Sequence, residues 1–267
     1  MLNVETTSSA YRWPSAISKP TRTAPPREGD ELWSGFRELR DLLRFDDRVG
    51  DLSDERKFRR RRLRAGQSAF NTGQAFDGLY VVRFGCLKTC MTHIDGTEHV
   101  LAFPMKGDLL GFDGVCHNSY LNEVVALTDC ELIRIPVSEL FSPGRSGNDL
   151  ERLVYWAISR EIVQEQMTNG LSHAAKSEAR VARFLRIQAE RFMALGYSPV
   201  RFTLPMTRRD IGNHLNVTLE TVSRAFSALD NLGIISVERR EVTILSPAAL
   251  RKFECESHGF RPAVVVQ

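Results

Sequence analysis

Residues 206–226, MTRRDIGNHLNVTLETVSRAF, allow few folded forms. Thr207 is placed to cap a helix, and Asp210 three residues on completes a capping-box pattern. Ile211 and Leu215 share one face of that helix, and Gly212 has no Cβ to hold a neighbouring helix away. Asn216 stands where a tight turn needs a residue that tolerates left-handed backbone. Val217 plugs the inside of the turn, and Thr218 caps a second helix. The stretch therefore reads as helix, turn, helix.

The second helix has two faces. Leu219, Val222, Phe226 and Leu229 form an apolar stripe, while Glu220, Ser223, Arg224 and Ser227 recur on the other side. An acid, a hydroxyl and an arginine on one face suit base edges, because arginine holds guanine bidentately and a carboxylate accepts from the cytosine amine. The plainer alternative is a solvated helix face. The turn residues ahead of the helix, and Arg208 and Arg209 beside the phosphates, favour DNA.

The segment 207–224, with Glu220, Ser223 and Arg224, resembles the helix-turn-helix of the CRP/FNR family of bacterial transcription regulators. Gly196-Tyr197-Ser198-Pro199 and Leu204-Pro205-Met206-Thr207-Arg208 are similar to the FNR branch in particular. Residues 234–245 read as a short β-hairpin, which the resemblance makes the wing of a winged helix-turn-helix. The resemblance implies DNA contacts from Thr207, Arg208, Thr218, Glu220, Thr221, Ser223, Arg224 and Ser227. It also implies a homodimer on a palindrome of TTGAT-type half-sites, activation through RNA polymerase, and double-stranded DNA as partner.

The 267 residues leave room for two modest domains and tails, and the 42% apolar content permits a core. Without an apolar run of membrane-spanning length or an export signal, a cytoplasmic protein with no membrane partner is expected. A net charge of +3 is too small to imply nucleic acid by itself. The densest basic run, 56–64, is either a phosphate-binding patch or a solvated strand leading into a β domain, and the second is favoured.

Glycines punctuate residues 58–136, separating short apolar runs such as Leu79-Tyr80-Val81-Val82 and Leu132-Ile133-Arg134-Ile135. That pattern suits an antiparallel double-sheet jelly roll. The spelling Gly78-Leu79-Tyr80, Gly85, Gly96 and Gly107–Asp113 resembles the same family's effector domain. The fold class is therefore expected to be α+β. A leader over 1–34 precedes a jelly-roll sensor domain over 35–145. A helix over 146–175, a winged helix-turn-helix over 176–250 and a tail over 251–267 follow. In the family the long helix pairs across a two-fold axis, which implies dimer contacts from Leu150, Leu153, Val154, Ala157, Ile158 and Ile162. The alternative is a helix packed on its own barrel. Phe112, Asp113 and Val115 lie in a glycine-rich loop expected to be exposed, next to the surface that touches polymerase in this branch.

No cofactor, metal site or catalytic constellation is expected, and the small-molecule effector is unknown. The family's nucleotide-binding members surround the phosphate and ribose with Gly-Glu and Arg-Ser pairs. Here the corresponding stretches read Phe112-Asp113-Gly114-Val115 and Leu121-Asn122-Glu123, with no arginine. Iron–sulfur sensors of the branch use N-terminal cysteines, yet the five cysteines are Cys86, Cys90, Cys116, Cys130 and Cys255. A haem on His93, His99 or His117, or a thiol switch at Cys86 and Cys90, remains open. So does an enzyme's regulatory subunit built on the same β fold. An architectural DNA binder would need more widespread positive charge.

Overall fold

The computed structural model describes residues 32–45, 55–92, 96–140, 149–169 and 176–256. The leader to residue 31, the region of Leu52, His93, Leu171 and residues 257–267 lie outside the described residues, as do the side chains of Met167 and Cys255.

The N-terminal part pairs two antiparallel sheets. One has the order β1 (Trp33–Gly35), β2 (Lys57–Leu63), β9 (Cys130–Pro136), β4 (Gly78–Phe84), β7 (Leu109–Leu110). The other runs β3 (Ser68–Phe70), β8 (Glu123–Ala126), β5 (Leu87–Thr92), β6 (Glu98–Ala102). Side-chain alternation explains the continuous apolar runs in β4 and β9. Tyr80, Val82, Cys130 and Leu132 pack between the sheets, whereas Leu79, Val81, Ile133 and Ile135 pack on helices behind the first sheet. A strand covered on both faces has no reason to alternate with polar residues.

Those helices are α1 (Phe36–Leu42) and α3 (Asp149–Asn169); the short α2 (Val137–Leu140) follows β9. Here the expected dimer stripe is corrected. Leu150, Leu153, Val154 and Ala157 are buried against Phe36, Leu39, Leu79 and Ile133 of the same chain. Ile158 is half-buried on that core, and only Ile162 of the six is exposed, beside Tyr155 and Val163. An apolar stripe shows that a helix buries one face without showing what covers it. The leader boundary also moves, because Trp33 and Ser34 pair with Arg59 and Phe58 in the first sheet.

The basic run is the strand β2, and its charges are met locally. Arg60 binds Ser34 Oγ at 2.7 Å and Glu38 at 2.9 Å. Arg61 donates to the Ala69 and Ser68 carbonyls, and Arg59 lies over the Trp33 ring.

The C-terminal part begins with α4 (Ser177–Ala194), continues through β10 (Arg201–Thr203), α5 (Arg208–Leu215), α6 (Leu219–Asn231), β11 (Ile235–Glu238) and β12 (Glu241–Ile244), and closes with α7 (Pro247–Glu256). Its three strands are antiparallel in the order β10-β12-β11. The tail expected from residue 251 is instead the end of α7, tied to α4 by Arg186 Nε on Glu254 at 2.7 Å.

Candidate nucleic-acid interface

Local chemistry builds the two-helix unit as its sequence foretold. Thr207 Oγ1 accepts from the Asp210 backbone N–H at 3.1 Å, and Asp210 accepts from the Thr207 N–H at 2.9 Å, closing the capping box. Burial alone would push the Asp210 carboxyl up, but the Thr207 and Lys88 hydrogen bonds hold it below its ordinary value. Asn216 ends α5 with φ 52° and ψ 48°. A Cβ on Gly212 would sit 2.7 Å from the Val217 carbonyl oxygen, so the turn closes only over glycine. Thr218 caps α6 by accepting from the Thr221 N–H at 3.2 Å.

On α6, Val222, Ala225, Phe226 and Leu229 are buried, whereas Glu220, Ser223, Arg224 and Ser227 are exposed together. Leu219, assigned to the apolar stripe, is 44% exposed. Thr218 is exposed and Thr221 half-buried beside the same face. Hydrogen bonds from its own backbone N–H and from Thr218 hold the Glu220 carboxyl below its ordinary value, so it is an acceptor at neutral pH.

Arg208 differs from expectation. Its guanidinium lies over the Phe226 ring, 3.2 Å from the centroid, and burial pushes its pKa down to about 10. It is still charged at neutral pH, but it braces α5 on α6 and does not reach outward. Exposed arginines nearby include Arg209, on α5, and Arg239 and Arg240, in the β11–β12 turn. Arg239 has φ 55°, and Arg240 Nη1 donates to the Pro205 carbonyl at 3.1 Å. Together with Leu204, Met206, Thr207 and Arg208, the two turn arginines line one cleft. The Glu238-Arg239-Arg240-Glu241 turn was legible as a wing; its balanced charges hid the cleft.

The inner face of α5 rests on the sensor domain. His214 Nδ1 lies 3.0 Å from the Val100 carbonyl oxygen, and His99 Nδ1 lies 2.9 Å from that of Asn213. Lys88 Nζ bridges Glu98 at 2.8 Å and Asp210 at 3.1 Å. Phe103 meets the rings of His214 and Phe184 edge-on, and Arg191 binds Asp108 and the Phe103 carbonyl.

Comparison with known proteins agrees with this geometry. The cyclic nucleotide-binding domain description matches residues 60–142, and the Crp-like helix-turn-helix domain description matches residues 179–253. The solved structure of FixK2 from Bradyrhizobium japonicum has a TM-score of 0.64 and 25% identity, covering 73% of this chain and 96% of that one. The fumarate and nitrate reduction regulatory protein of Vibrio cholerae is 33% identical over 192 residues, covering 72% of this chain and 77% of the relative. The transcriptional regulatory protein btr of Bordetella pertussis is 34% identical over 199 residues, covering 74% of this chain and 82% of the relative. The chain belongs to the CRP/FNR family.

As a CRP/FNR protein it is a DNA-binding transcription regulator. Among the described residues, no helix is long and apolar enough to cross a membrane. The stretch of this CRP/FNR sensor set against the family's phosphate-binding residues has its donors already occupied. The Asp113 carboxylate already accepts from the backbone N–H groups of Leu121 (3.0 Å) and Asn122 (3.2 Å) and from Asn122 Nδ2 (3.0 Å). A phosphate aimed at those donors would face a carboxylate instead of an open anion nest. The same bonds correct the expectation that this loop is exposed. Asp113 is engaged within the loop, and Phe112 and Val115 are partly buried on the core, while Cys116, His117 and Asn118 are exposed.

The thiols of this CRP/FNR protein differ sharply in environment. Burial pushes the Cys86 and Cys90 thiols up to about 12 and raises that of Cys130. Cys116 is exposed, its Sγ 2.9 Å from His117 Nδ1. Because the thiolate is the reactive form, a switch at Cys86 and Cys90 is disfavoured. We expect brief iodoacetamide treatment of the native protein to label Cys116 ahead of Cys86, Cys90 and Cys130, as read by peptide mass spectrometry. Equal labelling of Cys90 before unfolding would contradict this environment.

His214 adds an acid sensitivity. Burial pushes its imidazole below the ordinary 6.5, and His99 on β6 and Arg191 on α4 push the same way against the bonds to the Val100 and Leu101 carbonyls. Unfolding releases a base that binds protons more readily, so stability is full above pH 6.5 and falls as pH drops below it. The loss is at most about 1.4 kcal/mol for the first pH unit. Urea unfolding at pH 7.5, 6.5 and 5.5 should show a steeper loss for the native protein than for His214→Asn. Parallel slopes would remove His214 as the cause.

Proposed function

We propose that this regulator binds DNA as a homodimer, each protomer presenting Glu220, Ser223 and Arg224 to one TTGAT-type half-site of a palindrome. The observation that carries the reading is the joint exposure of that triplet on α6, between a capped start and a buried inner stripe. Arg224 supplies a bidentate donor for guanine, Glu220 an acceptor for the cytosine amine, and Ser223 a group of either kind. Arg209, Arg239 and Arg240 supply phosphate contacts beside it.

The dimer seam in this reading is the outer face of α3. Tyr155, Ile162 and Val163 are exposed there at 62%, 46% and 47%, and Tyr155 and Ile162 stand seven residues apart, on one helical stripe. The residues that bury α3 on its own barrel lie on the opposite side. Activation follows through RNA polymerase, with the exposed residues Cys116, His117 and Asn118 as the contact next to the partly buried Phe112, Asp113 and Val115. The site of action is the cytoplasm, where the DNA is.

The test is a fluorescence-anisotropy titration of a duplex carrying two inverted TTGAT half-sites against a scrambled duplex of equal composition, with sedimentation of the complex. Two chains on the palindrome and at least tenfold weaker binding to the scrambled duplex are expected. Equal affinity for both, or one chain per palindrome, would defeat the reading.

A further inference from the structure

The contact between α5 and β6 is reciprocal. His99 on the strand faces the carbonyl of Asn213 on the helix, and His214 on the helix faces the carbonyl of Val100 on the strand. Each acceptor is a carbonyl oxygen, so each imidazole presents Nδ1–H. Lys88 closes one end of the seam on Glu98 and Asp210, and its side chain is only 15% exposed. Phe103, His214 and Phe184 close the other end, with centroid distances of 5.2 to 5.9 Å. Three consecutive strand residues, Glu98, His99 and Val100, are thereby fixed against one face of α5 or held by its partner lysine.

This seam completes a rigid path between two parts of the molecule with different duties. Leu150, Leu153, Val154 and Ala157 lock α3 to the barrel. The barrel holds α5 through β5 and β6, and α5 holds α6 across Gly212, whose carbonyl accepts from the Val217 N–H at 3.0 Å. The angle and distance between α3 and the reading face of α6 are therefore held by polar contacts of defined length together with the apolar cluster around Phe103.

We propose that the β6–α5 seam is a spacing gauge: Lys88, His99 and His214 fix the separation of the two reader helices and so determine which half-site spacing the regulator accepts. The inference rests on the homodimer reading above. Each added base pair moves one half-site by about 3.4 Å and about 34° around the duplex. A pair of readers held rigidly tolerates neither displacement. Readers released from the strand follow the moved half-site at the cost of ordering on DNA. Lys88, His99 and His214 act as positioning residues, since none lies on the reading face of α6.

The experiment measures binding to a series of palindromes whose spacer is the preferred length, one base pair shorter, one longer and two longer. Native protein is compared with Lys88→Met/His99→Ala and with His99→Asn, whose amide can donate where Nδ1 did. Both substitutions lie in the sensor domain, and the Thr207–Asp210 cap is left intact. Native protein and His99→Asn should lose about tenfold or more for one base pair of change, whereas the double variant should lose no more than about threefold. Circular dichroism verifies folding; if the double variant does not fold, His99→Ala alone takes its place with the same expected flattening. Spacing discrimination as sharp in the released variant as in the native protein overturns the gauge and leaves the homodimer reading standing. A native protein that does not prefer any palindrome over scrambled DNA overturns both.

Discussion

Arg224→Ala is expected to cost about 1–3 kcal/mol per half-site and to relax preference at one guanine position. Two separated half-sites add nearly independently, so the dimer should lose about 2–6 kcal/mol, between roughly thirtyfold and twenty-thousandfold in affinity. The loss belongs to specific DNA only. Arg224 is exposed on the reading face, so scrambled duplex should be bound nearly as before. Arg240→Ala provides the contrast. It should weaken all sequences alike and shallow the salt dependence by about one ion per site. Anisotropy titrations at several salt concentrations separate the two behaviours. Equal losses on specific and scrambled DNA for Arg224→Ala would show that it touches phosphate and not base.

Phe103→Ala should have the largest effect on stability, about 3–5 kcal/mol against a typical total of about 5–15. Phe103 is 2% exposed and belongs to a cluster that joins Cys90 and Val100 of the sensor sheet to Phe184, Ile211 and Val222 of the DNA-binding domain. Shared burial of this kind couples the unfolding of the two parts. Calorimetry should show one transition for the native protein and, for Phe103→Ala, a lower midpoint with the two domains melting separately. A loss below about 1 kcal/mol would mean that the cavity collapses or that the domains are not coupled through this ring.

Much of the DNA-binding unit was legible because its determinants are local. The Thr207–Asp210 box, the left-handed Asn216, the Thr218 cap and the outward Glu220, Ser223 and Arg224 each follow from neighbours within a few residues. The jelly roll was legible from glycine spacing, although not the burial of β4 on both faces. What escaped depends on distant partners. The stripe Leu150, Leu153, Val154 and Ala157 has the same period whether a second protomer or the chain's own barrel covers it. Arg208 looks like a phosphate arm until Phe226 is placed beneath it. Asp113 looks exposed in a loop of glycines until Leu121 and Asn122 turn their amides toward it. The histidine contacts across the domains join residues 114 apart, and no periodicity reports on such a pair.

Asp210 serves the fold twice, closing the cap of α5 with one oxygen and taking the Lys88 ammonium with the other. That double duty limits domain grafting. A chimera placing a relative's helix-turn-helix on this barrel could supply its own cap and still leave Lys88, His99 and the Val100 carbonyl without the Asp210, Asn213 and His214 groups they meet here. The residues facing α5 must travel with it, so the transplantable unit is the winged domain together with the β5–β6 hairpin.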